Sequence, residues 1–375
     1  MRSAPFPVYP PDPRELSAPA GELFRRRVRA HTLLETSEHV DAERRAEIGC
    51  EILALGPATL PVLFKASRSR GEHEAALARS LVRLLVPDEV GRQISDSLRH
   101  EKRADAVEYA AALLARLSYP NLRVERVLRE IKALANNAAM NVFAVLGVLP
   151  DDAKEFAANK PVDVIKKLGQ FWRAEGFHGT GDSYYSDRNS YLPDVLERKT
   201  GLPIAMSIVY LAVARRLFLD AQGVNMPGHF IVRIRVMTEE GEQFVLVDPF
   251  NGARPLNLDD CRRRVEAAGQ QFVPDEHLKA TPAREILVRM CNNLLALFDH
   301  QKKTLEAERV ATVLTHLQPR DPIPLLIRAE RRLRRGDRRG ARRDMASTKR
   351  LDPAGPIGRT AEEMLRRMDF EHPFR

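Results

Sequence analysis

An alternating pattern of side chains near the middle of the chain constrains its fold most strongly. Apolar residues occupy every second position from Phe230 to Ile234, and a second apolar stretch, Phe244–Val247, ends at Asp248. A period of two residues indicates β-strands, so the two stretches predict one β-hairpin with a loop around Thr238–Gly241. The hairpin register places His229 and Asp248 on the same sheet face, opposite or diagonal to one another. The sequence therefore predicts a hydrogen bond between the aspartate and the imidazole.

A histidine held by an aspartate is half of a catalytic site. The carboxylate fixes the imidazole tautomer and leaves the other ring nitrogen free to accept a proton, as in Cys-His-Asp and Ser-His-Asp sites. Upstream, Gly201-Leu202-Pro203 precedes an apolar segment, Ile204–Phe218, which predicts a buried helix with proline in its first turn. A nucleophile belongs at that helix start, where the helix dipole lowers the pKa of a thiol. The three cysteines all lie elsewhere, at Cys50, Cys261 and Cys291.

Several motifs occur in the order and spacing of a known family. They are Tyr184-Tyr185-Ser186-Asp187-Arg188-Asn189-Ser190-Tyr191-Leu192, Val195-Leu196-Glu197-Arg198-Lys199, Gly201-Leu202-Pro203-Ile204, Pro227-Gly228-His229-Phe230 and Asp248-Pro249-Phe250. On these motifs the chain resembles the SirB-type proteins, which join a transglutaminase-like core to tetratricopeptide (TPR) repeats; the core also occurs in some F-box proteins. The resemblance runs from about Tyr119-Pro120-Asn121 to the C-terminus. It implies an α+β, mainly α-helical chain with a transglutaminase-like (papain-like) core and a small antiparallel sheet.

The resemblance also identifies a departure from the family's chemistry. In transglutaminase-like folds a nucleophilic cysteine begins the central helix and is followed by a histidine and an aspartate on adjacent strands. The resemblance thus implies that His229 and Asp248 match the second and third members. The cysteine position falls at about Pro203 or Ile204, and neither side chain can attack an acyl carbon. Ser207 is the only nearby hydroxyl, and a serine in an apolar helix usually hydrogen-bonds to a main-chain carbonyl.

Composition bounds the class of protein. With 375 residues, 44% hydrophobic and 30% charged, the chain has the composition of a soluble globular protein of two or three domains. Three cysteines without Cys-x-x-Cys spacing argue against a disulfide framework or structural zinc and predict a cytoplasmic location. The N-terminus lacks a continuous apolar signal region. The longest apolar run, Ala205–Ala214, is far shorter than the roughly 20 residues of a membrane span.

Four segments follow one another along the chain. Residues 1–20 are expected to be a disordered, proline-rich leader, and residues 21–103 an α-helical segment in which 55–63 resembles part of a HEAT-type repeat. Residues 104–280 form the transglutaminase-like core, and 281–375 form TPR-like helical repeats. In that last segment Pro319 and Pro353 follow similar sequences 34 residues apart, which is the TPR period. Two repeats are few for independent stability, so we expect them to pack on the core through residues 286–298.

The candidate binding residues surround the predicted helix start and the His–Asp pair. Residues 177–189 are polar, aromatic and glycine-bearing, which predicts a loop. This loop either lines a cleft facing His229 or acts as a structural clamp, in which Asn189 caps the following helix. Together with motif residues, the candidates are Tyr184, Tyr185, Asn189, Gly201, Pro203, Gly228 and Phe230.

A basic stretch near the C-terminus and a metal site at the His–Asp pair are two further alternatives. The net charge of +9 is concentrated in the last quarter of the chain, where Arg331–Arg343 is dense in arginine. Such a stretch either meets an anionic partner, nucleic acid included, or is a solvated helix face. No aromatic residues interleave with it, so base stacking is unsupported. No metal motif joins the His–Asp pair to His178 or Asp182, and no cofactor is predicted.

Two functions follow from these features. The first is a non-catalytic or degenerate transglutaminase-like protein, a pseudoenzyme, that acts as a scaffold or regulator and binds protein or peptide partners through its repeats. The second is a protease- or transglutaminase-like hydrolase or acyl transferase, in which His229 and Asp248 activate water or Ser207. The absent thiol favours the first function and the retained pair favours the second. A His–Asp hydrogen bond also occurs in purely structural networks.

Overall fold

A computed structural model of the chain describes residues 18–99, 105–181 and 185–370. They divide into two compact units, one up to Glu89 and one from Val90. The first unit is helical and contains α1 (Ala18–Ser37), α2 (Ala42–Leu55), α3 (Leu60–Ala66) and the beginning of α4 (Glu72–Arg99). Because α1 begins at Ala18, the last residues of the predicted leader are helical; residues 1–17 lie outside the described ranges.

The second unit holds the remaining elements. Its helices are α5 (Ala106–Leu114), α6 (Val124–Val145), α7 (Ala153–Asn159), α8 (Pro161–Ala174), α9 (Leu192–Arg198), α10 (Pro203–Arg216), α11 (Leu258–Ala267), α12 (Pro274–His277), α13 (Ala283–His300), α14 (Thr304–Leu317), α15 (Ile323–Arg334), α16 (Arg338–Leu351) and α17 (Pro356–Phe370). Its strands are β1 (His178–Gly179), β2 (Thr200–Gly201), β3 (Ala221–Met226), β4 (His229–Thr238), β5 (Gly241–Asp248) and β6 (Arg254–Leu256). The predicted α+β, mainly helical fold class is confirmed.

One antiparallel sheet of strand order β3-β4-β5-β6 carries the His–Asp pair. Strands β4 and β5 form the predicted hairpin, in which Thr238 pairs with Gly241 and Val232 pairs with Val247. Gly241 adopts a φ of 109°, which a residue with a Cβ rarely adopts, and this conformation closes the tight turn. Strands β1 and β2 pair in parallel over two residues each.

Helix α10 is the centre of the second unit. Every residue from Ile204 to Ala214 is buried, as expected for a helix that is apolar on all sides. It packs against α5 and α6 and against strands β3 and β4. The other face of the sheet is covered by α11, where Cys261 packs with Ile231 and Leu246.

The C-terminal helices pack on one another in sequence order, α13 to α17. Helices α14 and α16 each have 14 residues, and they begin at Thr304 and Arg338, so the 34-residue period of the sequence recurs in the helices. Helix α13 also packs against α5 and α10, which joins this array to the core within the second unit.

Contacts within the second unit occupy most of the Arg331–Arg343 stretch. The ion pairs include Arg331 with Asp299, Arg332 with Glu308 and Asp344, Arg335 with Glu308, and Arg342 with Asp369. Arg338 donates to the carbonyl of Met368 at 3.1 Å. Arg334, Arg339 and Arg343 are exposed and form no ion pair with described residues. The stretch is thus largely a set of ion-paired helix faces.

No single helix in the described ranges is both long enough and apolar enough to cross a membrane. Two strongly bent pairs, Ala42–Leu55 with Pro57–Ala66 and Val124–Val145 with Pro150–Asn159, reach the required length and composition only when they are joined.

Candidate active site

A two-residue turn positions the candidate histidine. Met226, the last residue of β3, pairs with His229, the first residue of β4, so Pro227 and Gly228 form the turn between them. Proline fixes its own φ near −65°, and Gly228 supplies a φ of 68°, the combination of a type II turn. A Cβ at Gly228 would meet only Ala268, at 3.9 Å, so conformation and not space requires glycine there.

His229 and Asp248 are hydrogen-bonded, as the sequence predicts. Nε2 of His229 lies 3.0 Å from Oδ1 of Asp248. Because Val232 pairs with Val247, Asp248 stands beside Ile231 and His229 is its diagonal neighbour on the same face. The His229 side chain is 12% exposed and that of Asp248 is fully buried.

Asp248 has two further hydrogen-bond partners besides His229. Asn251 donates to it through its side-chain Nδ2 at 2.7 Å and its main-chain N at 3.2 Å. Arg264, on α11, forms an ion pair with Oδ2 at 2.6 Å. Burial by itself raises the pKa of the Asp248 carboxyl, but the hydrogen bonds from His229, Asn251 and Arg264 outweigh burial and hold the pKa below its usual range. Asp248 is therefore an ionised carboxylate whose charge Arg264 balances.

The second ring nitrogen of His229 remains chemically available. Nδ1 makes no hydrogen bond to any described residue, and the ring meets Phe250 edge-to-face with centroids 5.9 Å apart. Phe250 in turn lies against Gly179, where a Cβ would come within 2.6 Å of the aromatic ring. A proton acceptor is thus present, held in one orientation by Asp248 and Phe250.

The residues at the start of α10, Leu202 and Pro203, have no side-chain hydroxyl or thiol that could give a proton to that acceptor. Pro203 is the first residue of the helix, and the preceding Leu202 donates its N–H to the carbonyl of Asn189 at 2.8 Å. Gly201 is packed so closely that a Cβ would lie 2.6 Å from Val195 and 3.0 Å from the carbonyl oxygen of Asn189. Gly201 and Pro203 therefore have structural reasons for their identity.

Ser207 is fully buried on α10 and donates its hydroxyl to the carbonyl of Phe230 at 3.3 Å. This is the main-chain hydrogen bond expected of a serine in an apolar helix, although its acceptor lies on β4 and not within the helix. Phe230 itself is fully buried. No hydrogen bond links Ser207 to His229.

The fold brings one cysteine to the same sheet face as His229. Cys261 packs with Ile231, and burial raises the pKa of its thiol to about 11. Burial also raises the pKa of Cys291, which is a fully buried residue of α13. Cys50 is exposed but belongs to the first unit. A raised pKa keeps a thiol protonated, and the thiolate is the reactive form, so the surroundings of these two buried cysteines do not activate them.

The loop ahead of α9 is tied to the fold. Tyr184 and Asp182 lie outside the described residues. Tyr185 is 65% exposed, its ring lies 5.0 Å from that of His300, and its carbonyl accepts a hydrogen bond from Gln301. Asn189 is buried and its Oδ1 accepts from Arg198 at 3.0 Å. The predicted cap by Asn189 is wrong: α9 has no side-chain cap, because the asparagine amide is used by the arginine at the far end of that helix.

The two additional partners of Asp248 differ in how far the sequence indicates them. Asn251 lies three residues after the aspartate, a spacing at which an Asx-type turn is a recognisable signal. Arg264 arrives from α11 through the tertiary fold, and no local pattern points to it. As to metals, no group of three or more His, Cys, Asp or Glu in the described ranges is arranged to hold an ion.

Comparison with known proteins supports the fold assignment for this region. Residues 125–292, which include α10 and the His–Asp pair, match the family described as the transglutaminase-like superfamily. A UPF0162 protein of Xylella fastidiosa is 39% identical over 184 residues, which cover 48% of this chain and 64% of the relative. The match therefore spans a little less than two thirds of that relative's length.

Two further relatives are more distant. A UPF0162 protein of Pseudomonas aeruginosa is 28% identical over 213 residues, covering 56% of this chain and 71% of that protein. Human F-box only protein 21 is 31% identical over 130 residues, covering 32% of this chain and 19% of that protein. No solved structure matches the chain significantly. The chain contains a transglutaminase-like domain, and the UPF0162 proteins are its homologues.

Proposed function

We propose that this chain is a SirB-type protein whose transglutaminase-like domain is catalytically degenerate and which acts as a scaffold or regulator of protein or peptide partners. The observation that carries the proposal is the charge balance at Asp248. Arg264 neutralises this carboxylate at 2.6 Å, and no described thiol or hydroxyl hydrogen-bonds to His229.

Charge balance matters because of what the aspartate does in a catalytic triad. Its negative charge stabilises the imidazolium that forms when histidine takes the proton of the nucleophile. A guanidinium on the second carboxylate oxygen competes for that charge and lowers the gain in stability on protonating His229. The same contacts suit a structural role, since they join β4, β5 and α11 through one buried carboxylate.

Partner binding is assigned to the helical repeats. The 34-residue displacement between α14 and α16 supports TPR-type repeats, and stacked helical hairpins usually bind proteins or peptides. A groove of about 300 Å³, lined in part by Thr315, Leu325 and Arg350, lies among α14, α15 and α16. The HEAT-like character of residues 21–103 and the cytoplasmic location remain predictions. Nucleic-acid binding through Arg331–Arg343 is the weaker choice, because most of that charge is already paired.

A hydrolase or acyl transferase is the second candidate, and the unengaged Nδ1 of His229 favours it. Amine incorporation into casein and hydrolysis of labelled casein separate the two functions when purified wild type is compared with His229→Ala and Asp248→Asn. We expect all three proteins to give the same background rate. Turnover by wild type that both variants lose would overturn the degenerate assignment.

Partner binding is tested in a separate experiment. Proteins captured from lysate of the source cell by wild type and by His229→Ala are identified by mass spectrometry, and the same capture is repeated with Arg350→Glu. We expect specific partners to be retained by His229→Ala and reduced by Arg350→Glu. Arg366→Glu, an exposed arginine of α17 outside the groove, is the matched control. Equal capture by both charge reversals would contradict the assignment of binding to this groove.

A further inference from the structure

A second cavity lies close to the His–Asp pair but does not include it. It is a shallow, widely open pocket with a volume of about 570 Å³. It is lined by Arg173, Gly176, Phe177, His178, Gly179, Phe250, Asn251 and Gly252. This lining contains one guanidinium, one imidazole and two aromatic rings, and none of these eight residues carries a carboxylate. The composition suits an anionic ligand that also has an apolar part.

The aromatic walls of the cavity are held rigidly. Phe177 is stacked on Trp172, with ring centroids 3.8 Å apart and planes 12° from parallel. Trp172 is fixed in turn, because its Nε1–H donates to the carbonyl of Pro249 at 3.0 Å. Phe250 rests directly on Gly179, as described above. Phe177 is only 2% exposed and Nζ of Lys199 also lies over its ring, so Phe177 forms the floor of the pocket. The apolar surface open to a ligand is the partly buried ring of Phe250, which is already ordered before binding.

The guanidinium is held in place by the main chain. Nη1 of Arg173 donates to the carbonyl of Gly252 at 2.7 Å. Gly252 has a φ of 72° and lies under the arginine stem, since a Cβ there would come 3.2 Å from Cγ of Arg173. Arg173 forms no ion pair with any described carboxylate, so its remaining N–H groups are open to a ligand. A planar guanidinium of this kind binds a carboxylate through two parallel hydrogen bonds.

His178 adds a second polar group to the same wall. Its Nδ1 lies 2.8 Å from the carbonyl of Gly176, which identifies Nδ1 as the protonated nitrogen of this pair. Nε2 has no partner among the described residues. His178 begins β1, and its main-chain N donates to the carbonyl of Lys199 at 3.0 Å, so strand pairing fixes its position in the lining of the cavity.

We propose that this cavity binds an organic carboxylate carried beside an aromatic or apolar group, with the carboxylate on Arg173 and the apolar part against Phe250. The ligand is either a small acid or the acidic side chain of a peptide. Phe250 also meets the edge of His229, so the bound ligand lies one aromatic ring away from the His–Asp pair. The proposal does not depend on whether His229 is catalytic.

The protein contains a built-in reporter for this site. Trp172 is the only tryptophan of the chain, and it is stacked on a wall of the cavity. Its emission, excited near the red edge of its absorption, is followed while two matched pairs of probes are added to the full-length protein. The first pair is benzoate and benzamide. The second is acetyl-Phe-Glu-amide and acetyl-Phe-Gln-amide.

In at least one pair, we expect the charged probe to bind about tenfold more tightly than its neutral counterpart, because a charge-assisted bidentate contact distinguishes them. Saturation by benzoate alone identifies a small-acid site, and saturation by the glutamyl peptide identifies a peptide site. Arg173→Gln is expected to abolish the preference for the charged probe, and Arg173→Lys to retain part of it. Arg366→Gln is the control for a general loss of positive charge.

Three results would overturn the proposal: no saturable change with either charged probe, equal affinity for charged and neutral probes, or an unchanged preference in Arg173→Gln. Far-UV circular dichroism of each variant confirms folding. His178→Gln, which leaves the Arg173–Gly252 contact intact, provides a second test in a variant expected to fold, and it should weaken binding of the charged probe alone.

Discussion

Replacing Arg264 by methionine tests the charge balance around Asp248. The change removes an ion pair of 2.6 Å to a fully buried carboxylate while it keeps an apolar stem on α11. Breaking a buried pair by removing one partner costs about 3–5 kcal/mol. Asp248 retains donors from His229 and Asn251, and Arg264 is 25% exposed. We therefore expect a loss of about 2–3 kcal/mol in the free energy of unfolding at neutral pH.

Urea unfolding followed by Trp172 fluorescence measures this loss. Arg263→Met is the matched control, since its neighbouring side chain is 69% exposed and pairs with Asp260 at the surface. An exposed pair contributes about 0–1 kcal/mol. Adding Asp248→Asn completes a double-mutant cycle, for which we expect a coupling energy of about 1–3 kcal/mol between positions 264 and 248.

The pH dependence gives an independent check. The pKa of Asp248 is lower in the folded protein than in the unfolded chain, where an aspartate titrates at about 3.9. Its contribution to stability is therefore fully present above the unfolded value and is lost as the pH falls through the folded value. Removing Arg264 raises the folded pKa, so the variant gains less from ionisation and its stability depends less steeply on pH below about 4. Equal unfolding free energies for the Arg264 and Arg263 variants would refute the charge-balance argument.

Three further perturbations have expected outcomes. Gly228→Ala forces a residue with a Cβ into a φ of 68° and should lower the unfolding free energy by about 1–2 kcal/mol, measured by thermal denaturation. Ser207→Ala removes one hydrogen bond of 3.3 Å and should cost about 0.5–1.5 kcal/mol without altering partner binding. Iodoacetamide should modify Cys50 in the native protein and reach Cys261 and Cys291 only after unfolding, as read by peptide mass spectrometry.

Each expectation has a result that contradicts it. An unchanged melting temperature in Gly228→Ala would mean that the turn relaxes to another form. A casein activity that disappears in Ser207→Ala would restore the serine as a nucleophile. Rapid native labelling of Cys261 would mean that the face of the sheet under α11 opens, and the charge network of Asp248 would then have to be transient.

Local periodicity explains why part of the site is visible in the sequence. Alternation along β4 and β5 fixes which side chains share a face, so the His229–Asp248 hydrogen bond follows from a hairpin alone. The turn at Gly228 and the proline that begins α10 are likewise local signals. All of them depend on residues close together in the chain.

Arg264 and the cap that Asn189 does not form show where that reasoning ends. Arg264 reaches Asp248 because α11 packs across the sheet, and nothing near residue 264 encodes that approach. Asn189 has the residue type of a helix cap, but Arg198 competes for its side-chain oxygen. The short parallel pairing of His178 with Thr200 also escapes prediction, since two residues carry no periodicity.

In the degenerate site proposed for this chain, proline at the first position of α10 withholds more than a nucleophilic side chain. The N–H groups of a first helical turn have no partner within the helix and together attract negative charge. Pro203 has no N–H to contribute, so this helix start is also a poorer place to stabilise the oxyanion that forms when an acyl carbon is attacked. One substitution, Pro203→Cys, would place a thiol and a main-chain N–H at the first position of the helix. Activity of such a variant would then depend on the Arg264 guanidinium that balances the charge of Asp248, and the substitution Arg264→Met removes that group separately.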